Sequence, residues 1–186
     1  MSLIGMVLVT IMACKTTKLT EPTPSVIPNR ASFTFPMDWL GEYEGTLYIM
    51  SSPKDTTAVK MGLSIQNPDN TGLYPWIISY GDDDKRYYGL EAINVQKGHY
   101  RVDELNSIKL DGYLRGNHFV TRFEVMGSDL LVDYERQPGG ILTRFYVSRD
   151  QPSLTGGEVF GSDTIPEVKT YPLVVFQEAF LRKKPE

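Results

Sequence analysis

The sequence predicts an all-β domain: a single antiparallel up-and-down meander of about eight to ten strands that closes into a barrel. Three observations carry this. From residue 33 onward, aromatic and β-branched residues alternate with polar ones in short runs, broken by turn residues roughly every eight to twelve positions. Three two-residue turns, each chosen on its own residues, put the same apolar side chains on one face. No segment shows a long amphipathic helical period. A meander of that many strands with one buried face avoids open edges by closing on itself.

Taken in order, residues 43–50, 58–66, 74–80 and 86–95 read as the first four strands. Gly81-Asp82-Asp83-Asp84-Lys85 between them reads as a solvated hairpin tip, since it lacks the spaced ligands and terminal glutamate of a helical calcium loop. A turn at Gln96-Lys97-Gly98 sets Ile93 opposite Val102, and Val102 opposite Ile108. Further along, Gly116-Asn117, Gly127-Ser128 and Pro138-Gly139 each fit a two-residue hairpin loop. The first sets Leu114 opposite Phe119 and Leu110 opposite Phe123. The second sets Val125 opposite Leu130, Phe123 opposite Val132 and Thr121 opposite Tyr134. The third sets Val132 opposite Phe145 and Leu130 opposite Val147. A one-residue slip would destroy this common apolar face.

The opposite face aligns Asp111, Arg122, Asp133 and Arg144 in a row of alternating sign, with Lys109 facing Glu124. Each such cross-strand pair contributes only ~0.2 to 1 kcal/mol, but like charges in register would be unfavourable. Residues 150–169 break the rhythm with Pro, Ser, Thr and Gly and read as a long loop, able to serve as a lid or a partner-binding segment. The last strand is expected over 171–182, and its apolar stretch 172–177 could instead pair with another chain.

The N-terminus is different in kind. An uncharged apolar run from Leu3 to Ala13 ends at Cys14, the single cysteine of the chain, and covers about half of the ~20 residues that span a hydrocarbon core. Ile11-Met12-Ala13-Cys14 resembles a bacterial lipoprotein signal. The resemblance implies removal of residues 1–13, acylation of Cys14, and membrane anchoring through the lipid. Lys15 stands where inner-membrane lipoproteins of that family often carry Asp, which implies the outer membrane of a bacterial envelope. Residues 14–32, rich in Thr, Pro and Ser, read as an extended tether at ~3 Å per residue. The expected domain is then 33–186. With no further cysteine it contains no disulfide or thiol nucleophile, and a net charge of -4 argues against a nucleic-acid face.

Phe35-Pro36-Met37-Asp38-Trp39-Leu40-Gly41-Glu42-Tyr43-Glu44-Gly45 resembles the start of the first strand in lipocalin-like barrels, where a short helical turn precedes Gly-x-Trp at the closed end. Here the motif is Gly41-x-Tyr43 with Trp39 just upstream. That family also packs a basic residue of the last strand over the aromatic, and Arg182 is the matching position. The resemblance implies that Trp39, Gly41, Tyr43 and Arg182 form a structural plug, and that the interior holds a small hydrophobic or amphiphilic molecule. Haem-binding barrels of the nitrobindin type share the start but need a late histidine, and none follows His118. No cofactor is expected.

If the apolar face lines the interior, Tyr100, Phe119, Thr121, Phe123, Tyr134 and Phe145 are the candidate ligand contacts, though the same residues describe a filled core equally well. If the charged face lines it, Arg122, Arg144 and Tyr146 form an anion anchor that resembles the Arg-x-Tyr pair of fatty-acid-binding proteins. The competing reading of those charges is an external, self-neutralised ladder. His99 and His118 are the only histidines, and neither His-Glu-x-x-His nor Gly-x-Ser-x-Gly occurs, so no metal site is expected and an enzyme ranks third. The expected function is a lipid-anchored envelope protein that binds a small hydrophobic ligand. The alternative is a filled barrel that docks another envelope protein.

Overall fold

The computed structural model describes residues 31–185; the apolar leader, Cys14 and most of the tether lie outside them. Twelve strands follow a short 3-10 turn at Met37–Trp39: β1 Gly41–Ser52, β2 Asp55–Ile65, β3 Tyr74–Tyr80, β4 Asp84–Asn94, β5 His99–Asp103, β6 Lys109–Arg115, β7 His118–Val125, β8 Ser128–Gln137, β9 Gly140–Arg149, β10 Leu154–Phe160, β11 Asp163–Thr170 and β12 Leu173–Lys183. Ten of them close an antiparallel up-and-down barrel in the order β1-β12-β9-β8-β7-β6-β5-β4-β3-β2. The remaining two, β10 and β11, form a separate two-stranded sheet.

Two of the three central turns fold as their residues demand. Gly116-Asn117 joins Arg115 to His118 and pairs Leu114 with Phe119. Pro138-Gly139 joins Gln137 to Gly140 and pairs Val132 with Phe145 and Leu130 with Val147, with Gly139 at φ +81° as the third position of a type II turn requires. The middle turn differs. Val125 pairs with Ser128, so the loop is Met126-Gly127 and each partner moves by two residues: Phe123 meets Leu130 and Thr121 meets Val132. Both loop residues have positive φ, +49° and +76°, the type I′ geometry whose twist matches the flanking strands. A shift of two preserves every side chain's face, so the apolar set stays together.

Met126 holds this left-handed conformation with 98% of its surface exposed. It gives up no packing if replaced, whereas asparagine tolerates the conformation far better. Met126→Asn is expected to stabilise the domain by about 0.5 to 1 kcal/mol, seen as a higher urea midpoint at unchanged slope. An unchanged or lower midpoint would show that the turn is not under strain.

Upstream, the expected pairings of Val102 are also displaced. It meets Leu90 and Leu110 rather than Ile93 and Ile108. The causes are local. Between β5 and β6 the Glu104 N–H donates to the Ile108 carbonyl at 3.0 Å around a loop with Leu105 and Ser107 at positive φ. Between β4 and β5 a 3-10 turn at Val95–Lys97 consumes residues that a tight hairpin would leave in the strands, and Asn94 caps it through Oδ1, accepting from the Lys97 N–H at 3.1 Å. A register irregularity between Ala92 and Asn94 accompanies it.

Residues 150–169 are not an irregular loop. They supply most of the β10–β11 hairpin, which exposes Leu154, Val159 and Val168. The stretch 172–177 is largely built into the barrel: β12 pairs with β9 from Leu173 onward and with β1 from Phe176 onward. That closure needs small residues. A Cβ at Gly140 would meet the carbonyl oxygen of Leu181, and one at Gly45 that of Phe180, so both neighbours approach β12 closely.

The barrel is filled at one end. Trp39, Tyr43, Leu63, Ile65, Ile141 and Leu181 are almost wholly buried there. Phe35 enters beside them, meeting Trp39 edge-on at 5.0 Å and Tyr100 at 4.7 Å and stacking on Phe119 at 5.1 Å.

Candidate functional site: an aromatic cavity in the open half of the barrel

Above that plug the barrel is hollow. A cavity of about 820 Å³ occupies the other half, within the 300 to 1,000 Å³ range typical of small-molecule sites. Its floor is the triad of Trp76, Phe119 and Tyr134, with Trp76 5.9 Å from Phe119 and 5.2 Å from Tyr134. The walls follow from strand alternation: Leu47 and Ile49 from β1, Ile78 and Tyr80 from β3, Thr121 and Phe123 from β7, Val132 from β8 and Phe145 from β9. Half-exposed Ile108 and Val125 mark the mouth.

The polar groups inside are neutral. Burial pushes the Tyr80 phenol up to about 12, against the pull of the nearby Arg86. Tyr134 is driven well above the ordinary tyrosine range, again by burial, and Tyr88 is raised for the same reason. These hydroxyls therefore stay protonated across the physiological range and can orient a ligand by donating a hydrogen bond. Charge is confined to the mouth, where Asp84, Arg86, Glu104 and Glu124 contribute to the lining. Arg86 is already engaged: its Nη2 lies 3.2 Å from Asp84 Oδ2, and its guanidinium sits 5.0 Å from the Tyr80 ring centre.

Of the six candidate ligand contacts, Phe119, Thr121, Phe123, Tyr134 and Phe145 line the cavity. Tyr100 does not; it is buried beneath the floor against Phe35. Trp76, Tyr80 and Tyr88 join the lining from β3 and β4, strands that the three central turns do not reach. The alternation in Trp76-Ile77-Ile78-Ser79-Tyr80 is the signal in the sequence that points to the first two.

The charged face points outward, so Arg122, Arg144 and Tyr146 do not form an anion anchor in the lumen. Arg122 makes a two-point contact with Asp129, Nε to Oδ1 at 3.1 Å and Nη2 to Oδ2 at 2.6 Å. Its expected partner Asp133 instead lies near His118, at 2.9 Å, and Arg144, at 3.6 Å. Arg144 also contacts Glu178 at 3.0 Å and buried Glu135 at 3.3 Å. Tyr146 packs against Phe176. Asp111 pairs with Arg101 and His99, and Lys109 with Asp103 rather than Glu124. The pairs still join opposite charges, but the two-residue shift at Met126-Gly127 sets Arg122 opposite Leu131 in place of Asp133, and the β5–β6 register sets Asp111 and Lys109 opposite Arg101 and Asp103.

The plug differs in one member. Trp39 is fully buried, and Tyr43 donates its hydroxyl to the Trp39 carbonyl at 2.7 Å. The cation near Tyr43 is not Arg182, which lies on the outer face over Phe180. It is Arg136, 7% exposed, whose guanidinium stands 4.4 Å from the Phe33 ring centre and 6.0 Å from that of Tyr43. Among the described residues no cluster of three or more histidine, cysteine or acidic side chains is placed to hold a metal ion.

No family model matches this sequence, and no curated protein matches it. Among solved structures the chain is similar to a protein of unknown function from the DUF3598 family of Nostoc punctiforme, with a TM-score of 0.59 and 13% identity, over 83% of this chain and 51% of that one. The chain thus spans about half the length of that structure. At this identity the likeness shows a shared fold alone.

Proposed function

We propose that this is a lipid-anchored envelope protein that carries a small hydrophobic or amphiphilic molecule in its barrel. The observation that carries the reading is the cavity of about 820 Å³, walled by aliphatic and aromatic side chains over a rigid aromatic floor and orienting its contents through neutral hydroxyls. No bond need be made or broken. Acylation of Cys14 would supply the anchor, and Lys15 after it favours the outer membrane. A second reading, docking to another envelope protein, is favoured by the exposed Leu154, Val159 and Val168 of the β10–β11 hairpin.

The test starts with native mass spectrometry and lipid extraction of the full chain purified from its own envelope, where a stoichiometric small molecule is expected. Val132 lines the cavity between Thr121 and Phe145 in register. Val132→Trp should fill space without disturbing the plug and reduce uptake of the neutral fluorophore N-phenyl-1-naphthylamine by on the order of tenfold or more. Clean apo mass together with undiminished uptake by the variant would sink the carrier reading.

A further inference from the structure

We infer that the cavity selects an amphiphile with an apolar body and a cationic head, and discriminates against carboxylates such as fatty acids. This deepens the carrier reading and rests on it. The reasoning begins with charge placement. Three carboxylates, Asp84, Glu104 and Glu124, and one guanidinium, Arg86, contribute to the lining. The guanidinium is held by Asp84 at 3.2 Å and covered on one face by Tyr80, so an entering anion would have to displace that carboxylate to use it.

Glu104 and Glu124 then set the sign of the mouth. They lie on one side of it, with only β6 between their strands: Glu104 follows β5, and Glu124 stands near the end of β7. The cations nearest to them in sequence are held by other carboxylates, Arg101 by Asp111 at 3.2 Å, Lys109 by Asp103 at 2.9 Å and Arg122 by Asp129 at 2.6 Å, although Arg122 also feels the charge of Glu124. Glu104 accepts from Asn106 Nδ2 at 3.3 Å, a neutral contact that leaves its charge in place.

Below the mouth the walls suit the same ligand. The rings of Trp76 and Phe123 line the cavity as apolar surface for the ligand's body, the Tyr80 ring already carries the Arg86 guanidinium at 5.0 Å, and the phenols of Tyr80 and Tyr134 remain neutral. Among the described residues of the lining, none offers an unpaired positive group to a carboxylate. The long-range part of this preference is Coulombic, so it weakens as salt rises.

The experiment compares three dodecyl amphiphiles below their micellar concentrations, displacing N-phenyl-1-naphthylamine from the full chain: dodecyltrimethylammonium, dodecanol and dodecanoate. The ammonium compound is expected to displace on the order of tenfold more tightly than dodecanoate at low salt, with dodecanol between them. In the double variant Glu104→Gln with Glu124→Gln that gap should collapse while dodecanol is unaffected. Dodecanoate binding as tightly as the ammonium compound would overturn the inference and leave the carrier reading intact. A preference that survives unchanged in the double variant would overturn its assignment to these glutamates. If the fluorophore is not taken up at all, the carrier reading itself fails.

Discussion

Trp39→Ala is expected to destabilise the domain by about 3 to 5 kcal/mol, the range for removing a large aromatic from a packed core. In a domain of this size that corresponds to a fall in Tm of about 10 °C. The residue has no solvent exposure and meets Phe35 edge-on at 5.0 Å. Phe35 in turn contacts Tyr100 and Phe119, so a void there loosens the ring cluster directly under the cavity floor. The Tyr43 hydrogen bond runs to the backbone carbonyl of Trp39, so it survives the substitution, and since the buried Trp39 Nε1 has no hydrogen-bond partner among the described residues the loss reads packing offset by the relief of that donor. The chain has two tryptophans, which leaves Trp76 on the cavity floor as the fluorescent reporter of urea unfolding. A loss below about 1 kcal/mol would mean that the site collapses easily, and that the plug does not hold this end of the barrel.

Arg136→Met is expected to cost about 2 to 4 kcal/mol, because it strips donors from one buried and two partly buried carbonyls. Arg136 Nε donates to the Asp38 carbonyl at 3.0 Å, and Nη1 to those of Gly140 at 2.9 Å and Gln137. The guanidinium thereby ties the 3-10 turn to the β8–β9 hairpin while covering Phe33 and Tyr43. Methionine can match the bulk and none of these bonds. Arg182→Met is the control, expected to change stability by no more than about 0.5 kcal/mol, since its side chain is exposed on the outer face. Both are read from urea midpoints on the same preparation. Equal losses, or a larger one at Arg182, would return the role to the last strand.

Arg136 also marks a boundary of what residue order can convey. Strand alternation puts Val132 and Tyr134 on the inner face, and continuing it by two reaches Arg136. The resemblance to lipocalin-like barrels points instead to Arg182, whose neighbours Glu178 and Phe180 share the outer face. The Met126-Gly127 turn shows the same boundary. The glycine announces a hairpin, but whether it takes the first or the second loop position depends on how the strands twist together. Its sequence neighbours do not specify that.

What the amino-acid order settled was everything with a short repeat. The period of two, the turn residues and the sign alternation of charges required an antiparallel meander with one apolar face, and closure followed because so long a sheet cannot leave its edges open. Side-chain identity could not say how much of the interior would be filled, since the same aromatic residues pack solid around Phe35 and stand apart above Trp76. That difference arises when ten strands close at a given separation and one end receives the 33–40 segment as a plug. The hairpin at β10–β11 was equally beyond reach. Its strands pair with each other rather than with the barrel, and its residues, mostly exposed, carry no inward-facing pattern for a sequence to display.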